Sequence, residues 1–376
     1  MPRTLVITND FPPRKGGIQT FIEQLLSQQY PRSLVVFTSN WTGAAEYDAT
    51  LPYDVIRIRG KLLLPTPKRI REAKKLAKRY DCDQVLFGAL APLGLMSGSL
   101  KRFGIKNIVA ITHGHEAGWA KIPLLRTLLK LSAAKVDVVT YLTQYTKEII
   151  LPLLKSETKT IQLTPAVDVT RYQPANPTLR MELKKKYHLE NNLVLLGLSR
   201  LMPRKGFDSI IKLMPRLIAE FPELKFVVAG GGPDKDRLIK LAKKFNVSDR
   251  VLFLGSIPYD ELPQVYQMAD VFAMPCRTRF FGLDVEGFGI VYLEAAATGL
   301  PVIAGNSGGA VEAVLPGITG ELAERNNLEK KLRQLLQDEQ LRERYGQQGR
   351  RWVETEFSLV SRGEILNQQL NQRLRD

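Results

Sequence analysis

The sequence has little of the residue types that usually build metal sites or disulfide frameworks. Among 376 residues it has only two cysteines, Cys82 and Cys276, and three histidines. Two cysteines cannot form a disulfide framework, and the Cys/His spacing of a zinc site is missing. We therefore expect a protein of a reducing compartment that needs no metal ion.

Long apolar segments are also missing. No stretch approaches the ~18 to 20 apolar residues that a membrane span requires. The N-terminal MPRTLVITNDFPP has only a short apolar run before Asp10, which predicts a first buried strand rather than a signal peptide. The sequence therefore predicts a cytoplasmic protein, or a peripheral one at the inner face of the plasma membrane.

Negative charge is in deficit. The chain has 54 Lys and Arg against 38 Asp and Glu, a formal net charge of +16. The excess is uneven, because residues 1–150 hold 22 cations against 11 anions, whereas the remainder holds 32 against 27. The excess of positive charge in residues 1–150 indicates an anionic partner, although a basic surface that is merely solvated would give the same counts.

Short β-branched runs alternate with amphipathic stretches along the whole chain, which predicts an α/β fold built on two doubly wound parallel sheets. We expect one domain over 1–168 and a second over 169–354, with a cleft between them. A helix at about 355–376 is expected to cross back to the first domain. The expected strands lie at 5–8, 34–38, 85–87, 108–112 and 136–142, then at 193–199, 224–230, 250–255, 270–275 and 300–305.

The strongest chemical signal is EGFGIVYLEAAATGLPVIAG, residues 286–305. Glu286 precedes Gly287 and Gly289, and Glu294 follows eight positions after Glu286. Glycines allow a ligand to approach the backbone, and the N–H groups at a helix start attract a diphosphate. Two glutamates in isolation are more often part of a solvated helix face.

Two further signals follow predicted strands of the second half. In SRLMPRKGFDSII, residues 199–211, Arg200 ends a strand and Lys205 lies five residues later. At the carboxyl end of a strand, two such cations outside the core could neutralise a diphosphate leaving group. The glycine run AGGGPDKDRL, residues 229–238, is weak alone, because most such runs are tight turns.

The first half offers two candidate loops. NDFPPRKGGIQTF, residues 9–21, has Gly16 and Gly17 before a helix but lacks the G-x-G-x-x-G of dinucleotide enzymes. THGHEAGW, residues 112–119, holds His113 and His115 beside Glu116. The pair of histidines beside Glu116 could suggest a metal site, but a third clear ligand is missing nearby.

Taken in order, these motifs resemble glycosyltransferase family four, the retaining enzymes of the GT-B double-Rossmann fold. The resemblance covers nearly the whole chain. Within the family, NDFPPRKGGIQT, THGHEAGW, SRLMPRKG and MPCRTRFFGLDVEGFGIVYLEA are similar to bacterial phosphatidylinositol mannosyltransferases that use GDP-mannose. One departure is Phe280-Phe281, where smaller or polar residues are expected.

The resemblance implies roles for individual residues. It implies that Arg200 and Lys205 hold the donor diphosphate, that Glu286 holds the transferred sugar and that Glu294 holds the ribose. His113, with His115 as second choice, would contact the sugar. The remaining positions expected to bind the donor nucleotide are Gly16, Gly17, Gly231, Ile257, Gly287, Phe288, Gly289 and Ile290.

The resemblance also implies partners. The expected donor is GDP-mannose, with no cofactor and no metal, and the acceptor a lipid-linked or other glycan such as a phosphatidylinositol mannoside at an anionic membrane surface. The grounds in the sequence are the cation-rich stretch 68–80 and the leucine-rich stretch 122–135. A UDP-sugar with a soluble acceptor, a GT-B epimerase and a nucleic-acid-binding protein are the alternatives; no nucleic-acid motif is present. We expect a monomer or homodimer.

Overall fold

The computed structural model describes residues 3–14 and 16–371. The chain forms two compact units, one of Met1–Ala166 with Leu359–Asp376 and the other of Val167–Ser358. These limits lie two and four residues from the domain limits expected from the sequence. Each unit carries its own sheet, and we call them the N-terminal and the C-terminal unit.

The N-terminal unit is a seven-stranded parallel sheet in the order β3-β2-β1-β4-β5-β6-β7. Its central strands are buried on both faces, as parallel strands covered by helices must be. Its elements are β1 (Arg3–Thr8), α1 (Gly17–Ser27), β2 (Leu34–Thr38), α2 (Ala44–Asp48), β3 (Asp54–Arg57), α3 (Pro67–Arg79), β4 (Cys82–Phe87), α4 (Ser97–Phe103), β5 (Asn107–Ala110), α5 (Glu116–Trp119), α6 (Pro123–Ala133), β6 (Val138–Tyr141), α7 (Gln144–Ile150) and β7 (Lys159–Gln162).

The C-terminal unit is a six-stranded parallel sheet in the order β10-β9-β8-β11-β12-β13. Its elements are α8 (Pro177–Lys186), β8 (Leu193–Leu198), α9 (Phe207–Glu220), β9 (Leu224–Ala229), α10 (Lys235–Lys244), β10 (Val251–Gly255), α11 (Leu262–Gln267), β11 (Val271–Met274), α12 (Ile290–Ala297), β12 (Val302–Gly305), β13 (Gly320–Ala323), α13 (Leu328–Gln337) and α14 (Glu339–Glu356). Both sheets are therefore Rossmann-like, and the predicted α/β class is confirmed.

The last helix, α15 (Leu359–Asn371), belongs to the N-terminal unit. It packs beside α1 and β5, and the side-chain amide of Asn107 donates to the carbonyl of Gln369 at 2.8 Å. The expected helix began at about 355, where α14 is still continuing. The end of that expectation, residues 372–376, lies outside the described residues.

Helix starts follow local chemistry. Thr66 precedes α3 and accepts a hydrogen bond from the backbone N–H of Arg69 at 3.4 Å, while Pro67 occupies the first helical position. Asn176 caps α8 in the same way, accepting from Leu179 at 2.8 Å. Side-chain caps satisfy N–H groups that the helix leaves unpaired, and proline has none to satisfy.

Membrane-spanning helices are absent from the part of the chain that the structure describes: none of its helices is both long and apolar enough.

Candidate functional site

The strand order of the C-terminal unit fixes where a ligand can bind. From β8 the chain moves to β9 and β10 on one side, then returns to β11 and β12 on the other. Ligands of open α/β sheets bind outside the carboxyl ends of the strands at such a reversal. The loops after β8 and β11 flank this point, and they carry Arg200, Lys205 and Glu286.

Lys205 and Glu286 form a buried ion pair there. The ammonium of Lys205 donates to Glu286 Oε2 at 2.7 Å, although the residues are 81 positions apart in sequence. Lys205 is 7% exposed and Glu286 6%. The expectation that Lys205 lies outside the core is therefore wrong, because its stem runs inward to reach the carboxylate.

The loop that carries Lys205 is tightly fixed. Gly206 has φ = +80°, and a Cβ there would collide with the carbonyl oxygen of Pro275, just after β11. The guanidinium of Arg277 donates to the carbonyl of Pro203 at 2.8 Å and to both oxygens of Asp208, at 2.9 and 3.1 Å. These contacts tie the loop after β8 to the loop after β11, so the ammonium is pre-positioned.

Two charged residues near Glu286 were missed in the sequence. Arg204 Nε lies 3.6 Å from Glu286 Oε2, and its terminal nitrogen lies 3.4 Å from Asp284. Arg204 Nε is also buried without a hydrogen-bond partner among the described residues. Arg204 could have been found from the sequence, because it stands directly before Lys205 in the motif expected to bind phosphate.

The backbone of Glu286 is also held. Its carbonyl accepts from the N–H of Gly309 at 2.9 Å, and Gly308, with φ = +55°, lies so close that a Cβ would collide with the same oxygen. Downstream, Gly289 has φ = +87° and starts α12 without a side-chain cap. The chain therefore leads directly into the start of α12 through Gly287, Phe288, Gly289 and Ile290. The ring of Phe288 is buried against Phe357.

Glu294 lies in α12 and has neutral partners. It accepts hydrogen bonds from the hydroxyls of Tyr266 at 2.7 Å and Tyr172 at 3.1 Å, one on each oxygen. Burial raises the pKa of Glu294 above its ordinary value, and the tyrosine hydroxyls oppose that shift. The alternative of a solvated helix face is therefore wrong for this residue.

Arg200 is exposed, and no partner of its guanidinium occurs among the described residues. The loop carrying it lies against the glycine run after β9, where Leu201 donates to the carbonyl of Gly231 at 2.9 Å. A Cβ at Gly231 would approach Ser256, which precedes the half-buried Ile257 after β10. Arg200, Gly231 and Ile257 therefore share the carboxyl edge of neighbouring strands.

The N-terminal unit has its own reversal, between β1 and β4. Gly16 and Gly17 follow β1, are exposed and start α1. His113 follows β5, next to β4 in the same sheet. The three positions therefore lie at the carboxyl edge of one sheet.

His113 is held from both sides. Its backbone N–H donates to the two oxygens of the buried Glu116, at 3.1 and 3.0 Å. Its ring Nε2 contacts the carbonyl of Gly88, which follows β4. Burial lowers the pKa of His113, which favours the neutral form of the ring. His115 is more exposed and stacks on His113 with the ring centroids 6.2 Å apart.

Within the described residues, no group of three His, Cys, Asp or Glu side chains is arranged to hold a metal ion. Burial raises the pKa of Cys276 to about 11 and that of Cys82 to about 12, which makes both thiols poor nucleophiles.

Family profiles and relatives agree with this geometry. The profile described as "Glycosyltransferase Family 4" matches residues 15–171, and "Glycosyl transferases group 1" matches residues 180–352. A GDP-mannose-dependent alpha-(1-6)-phosphatidylinositol monomannoside mannosyltransferase of Mycolicibacterium smegmatis is 41% identical, with 98% of each chain covered. A GDP-mannose-dependent monoacylated alpha-(1-6)-phosphatidylinositol monomannoside mannosyltransferase of Corynebacterium glutamicum is 43% identical, over 97% of this chain and 96% of its own.

Solved structures support the fold. The Anabaena protein Alr3699/HepE in complex with UDP has a TM-score of 0.83 at 18% identity, covering 98% of this chain and all of its own. The glycosyltransferase WaaG of lipopolysaccharide biosynthesis has a TM-score of 0.70 at 18% identity, covering 98% of this chain and 99% of its own. With relatives above 40% identity over almost its full length, the chain belongs to glycosyltransferase family 4 and is a glycosyltransferase of the GT-B fold.

Proposed function

We propose that this enzyme transfers a mannosyl group from GDP-mannose to phosphatidylinositol monomannoside, with retention of the anomeric configuration. The observation that carries the proposal is the buried Lys205–Glu286 pair at the strand reversal of the C-terminal unit. The donor and acceptor are taken from the names of relatives that are 41% and 43% identical over nearly the whole chain.

The residues of the C-terminal unit divide the donor between them. Arg200 and Lys205 stabilise the negative charge that develops on the departing diphosphate. Glu286 accepts hydrogen bonds from the sugar hydroxyls while Lys205 balances its charge. The N–H groups at the start of α12 add the partial positive charge of a helix terminus.

Glu294 serves the nucleoside in this proposal. Each of its oxygens already accepts one tyrosine hydroxyl, and an ionised carboxylate has about four acceptor positions. Acceptor capacity therefore remains for the two hydroxyls of a ribose. Gly231 and Ile257, at the ends of β9 and β10, offer open backbone and an apolar side chain to the base.

The transfer requires no carboxylate base. The bond from the sugar C1 to the β-phosphate oxygen breaks, and its electron pair leaves with GDP. The acceptor hydroxyl oxygen bonds to C1 on the same face, and its proton passes to the departing phosphate. Catalysis then rests on positioning and charge stabilisation, for which the pinned loop of Lys205 is suited.

We also propose that no metal ion takes part in the transfer. Arg200, Lys205 and Arg204 supply three cations near the loops after β8 and β11, and Arg204 Nε has an unused hydrogen-bond donor. Fixed cations can perform the charge neutralisation that Mg²⁺ performs in other nucleotide-sugar enzymes.

In the N-terminal unit, His113 contacts the transferred sugar in this proposal. With Nε2 engaged by the carbonyl of Gly88, Nδ1 is the ring nitrogen left to meet a hydroxyl. Gly16 and Gly17 stand at the start of helix α1. Because glycine has no Cβ, phosphate oxygens can approach the backbone N–H groups there.

The N-terminal unit also has features of a protein surface that binds anionic lipids. In α3 the alanines Ala73 and Ala77 are buried, while the opposite side exposes cations. A cavity of about 470 Å³ lies between α3 and β3, with Lys68, Lys75 and Arg59 in its lining. Basic residues near an anionic membrane contribute about 1 kcal/mol each.

Helix α6 adds apolar surface to the same unit. Leu124 and Leu131, seven residues apart on one face, are exposed, as are Arg126 and Lys130. Only Leu129 of its leucines is buried, so most of this leucine-rich stretch is not core. We propose on these grounds that the enzyme works at the inner face of the plasma membrane, as a monomer or homodimer and without nucleic acid.

The donor is tested by thermal shift and transfer assays in the presence of EDTA. GDP and GDP-mannose should stabilise the protein by about 2.7 kcal/mol at a concentration 100 times the Kd. Labelled mannose should then appear in phosphatidylinositol monomannoside presented in vesicles. UDP-glucose is the matched control, and it should neither stabilise the fold to this extent nor donate its sugar.

Loss of all transfer in EDTA, with recovery in Mg²⁺ or Mn²⁺, would contradict the metal-free proposal. Preference for a UDP-sugar would overturn the donor and leave the family assignment intact. Equal transfer to a water-soluble glycan would favour a soluble acceptor.

A further inference from the structure

A short hairpin follows β11 in the C-terminal unit. Arg279 and Asp284 pair as an antiparallel bridge, with the N–H of Arg279 donating to the carbonyl of Asp284 at 2.9 Å. Four residues, Phe280, Phe281, Gly282 and Leu283, form its end. We call these four residues the aromatic tip.

The backbone of the aromatic tip is strained. Phe280 has φ = +48° and Phe281 φ = +54°, followed by Gly282 at +88°. Bulky aromatic residues rarely adopt positive φ, and two in succession are rarer still. The Arg279–Asp284 bridge closes the turn in which these angles occur, and backbone strain of this kind is concentrated at functional sites.

The strain presents apolar side chains to solvent. The exposed fraction is 61% for Phe280, 103% for Phe281 and 48% for Leu283. Single exposed apolar residues are common, but three within four residues at the end of a hairpin form a contiguous projecting surface. Packing of the core does not account for it, because the exposed rings contribute little to the core.

Charged side chains of both signs lie at the base of the aromatic tip. The Arg279 guanidinium lies 4.6 Å from the centroid of the Phe280 ring, and Arg279 also pairs with Asp284 at 3.7 Å. Asp284 contacts Arg204, which lies 3.6 Å from Glu286. The tip is therefore connected through charged contacts to the carboxylate assigned to the donor sugar.

We propose that the aromatic tip inserts its two phenyl rings into the interfacial region of an anionic lipid bilayer, bringing the donor-binding unit to a lipid-borne acceptor. This inference rests on the proposed function for the acceptor alone. An apolar end with the guanidinium of Arg279 at its base matches a bilayer, whose acyl region lies beneath anionic headgroups.

The observations favour a bilayer over a sugar ring as the occupant. Sites for small polar molecules are concave and place polar groups around the ligand. The Phe281 side chain is instead exposed, and phenylalanine has no polar atom with which to bind a hydroxyl. A stacking platform for the acceptor sugar is therefore the outcome against which the proposal is tested.

The first measurement is vesicle binding by the Phe280→Asn/Phe281→Asn double variant. Asparagine tolerates positive φ, so the hairpin can keep its backbone while it loses both rings. Sedimentation with vesicles of phosphatidylglycerol and phosphatidylcholine should weaken by about tenfold or more. The loss should persist in about 0.5 M salt, which screens the basic helix α3 but leaves apolar insertion intact.

Ile318→Asn is the matched control. Ile318 is 49% exposed in the same unit. It precedes β13 and so lies at the amino ends of the parallel strands, whereas the aromatic tip follows the carboxyl end of β11. Its replacement removes a comparable apolar side chain and should leave vesicle binding unchanged. Unchanged binding by the double variant, or an equal loss with Ile318→Asn, would overturn the proposal.

A spectroscopic probe reports insertion directly. Phe281→Trp should show blue-shifted emission on anionic vesicles relative to the wild-type protein, whose three tryptophans provide the background. Ile318→Trp should show no such shift. The absence of a shift in Phe281→Trp would contradict insertion.

Transfer assays separate the tip from the acceptor assignment. The double variant should lose about tenfold in activity on phosphatidylinositol monomannoside in vesicles, with kcat/KM unchanged on the deacylated, water-soluble form. Equal losses on both acceptors would mean that the tip is a sugar platform or a structural element and overturn the proposal. If the wild type transfers to neither acceptor, the proposed function fails, while vesicle binding and Trp emission still decide the role of the tip.

Discussion

The two ends of the segment 286–294 carry the same side chain in opposite surroundings. Glu286 lies in a loop and faces the cations Lys205 and Arg204. Glu294 lies in α12 and faces the neutral hydroxyls of Tyr266 and Tyr172. One carboxylate is balanced by full charges, and the other is solvated only by hydroxyl dipoles.

The difference supports the proposal that two carboxylates eight residues apart serve different parts of one ligand. Glu286 and Lys205 together have no net charge, so the pair can receive a neutral sugar without leaving a buried charge unbalanced. Glu294 has no cation within hydrogen-bond distance in the described residues, and burial raises its pKa. Its role therefore depends on pH and on its two tyrosines.

The largest expected effect comes from removing the cation at the Glu286 end. Lys205→Ala should lower kcat by roughly 10²-fold or more, because leaving-group stabilisation is lost. It should also lower the free energy of unfolding by about 3 kcal/mol, since Glu286 would stay buried without its hydrogen-bonded ammonium and with only Arg204, 3.6 Å away, to balance its charge. Steady-state kinetics and urea unfolding followed by circular dichroism measure the two effects.

Arg200→Ala is the control for this change. Arg200 is exposed, so the variant should lose turnover to a similar degree while its free energy of unfolding stays within about 0.5 kcal/mol of wild type. If Lys205→Ala unfolds at the wild-type urea concentration, the buried pair is not the structural feature described above. Near wild-type kcat/KM in either variant would contradict that residue's role in transfer.

The next expected effect is at the Glu294 end. Glu294→Gln keeps the shape of the side chain but removes its negative charge, so it should weaken GDP binding by about 10- to 100-fold. Because the folded-state pKa is raised, the wild-type protein gives up part of its stability as pH rises above about 4.5. Glu294→Gln should therefore be more stable at pH 7 and should lack that part of the pH dependence.

Glu286→Gln is the matched comparison for Glu294→Gln. It leaves the Lys205 ammonium buried opposite a neutral amide, so it should destabilise the protein at pH 7. Isothermal titration with GDP and urea unfolding at several pH values distinguish the two variants. The contrast between the two ends of the segment would be wrong if both variants changed stability in the same direction.

How far the sequence predicts the fold depends on burial. The central strands were predicted because residues such as Val6 and Val227 are fully buried and the runs around them are apolar. The edge strands β3, β7 and β13 were missed. Each has only four residues, and β3 and β7 are partly exposed along their whole length, so their apolar signal is weak.

The sequence motifs contain the candidate site residues but not the partners of those residues. Motif spacing places Lys205 and Glu286 on separate loops. It does not contain the ion pair, which depends on the strand order β10-β9-β8-β11-β12-β13 that brings β8 beside β11. The partners of Glu294 come from positions 172 and 266, with no sequence pattern that links them to it. Long-range partners of this kind follow from packing, and periodicity along the chain does not report them.

The smallest expected effect comes from a single hydroxyl at the Glu294 end. Tyr266 is fully buried and donates to Glu294 at 2.7 Å, so Tyr266→Phe removes one of the hydrogen bonds that hold the pKa of Glu294 down. The pKa of Glu294 should rise further. As the pH is lowered, GDP affinity should therefore begin to fall at a higher pH than in wild type. The variant should also lose about 1 kcal/mol of stability.

Tyr292→Phe is the matched control, because its buried hydroxyl donates to the carbonyl of Met274 at 2.7 Å and not to Glu294. It should cost similar stability and leave the pH dependence of GDP affinity unchanged. Ionisation of GDP itself is common to all variants, so it cancels in the ratio of their affinities. An identical profile for the two tyrosine variants would mean that hydroxyl dipoles do not control the Glu294 end.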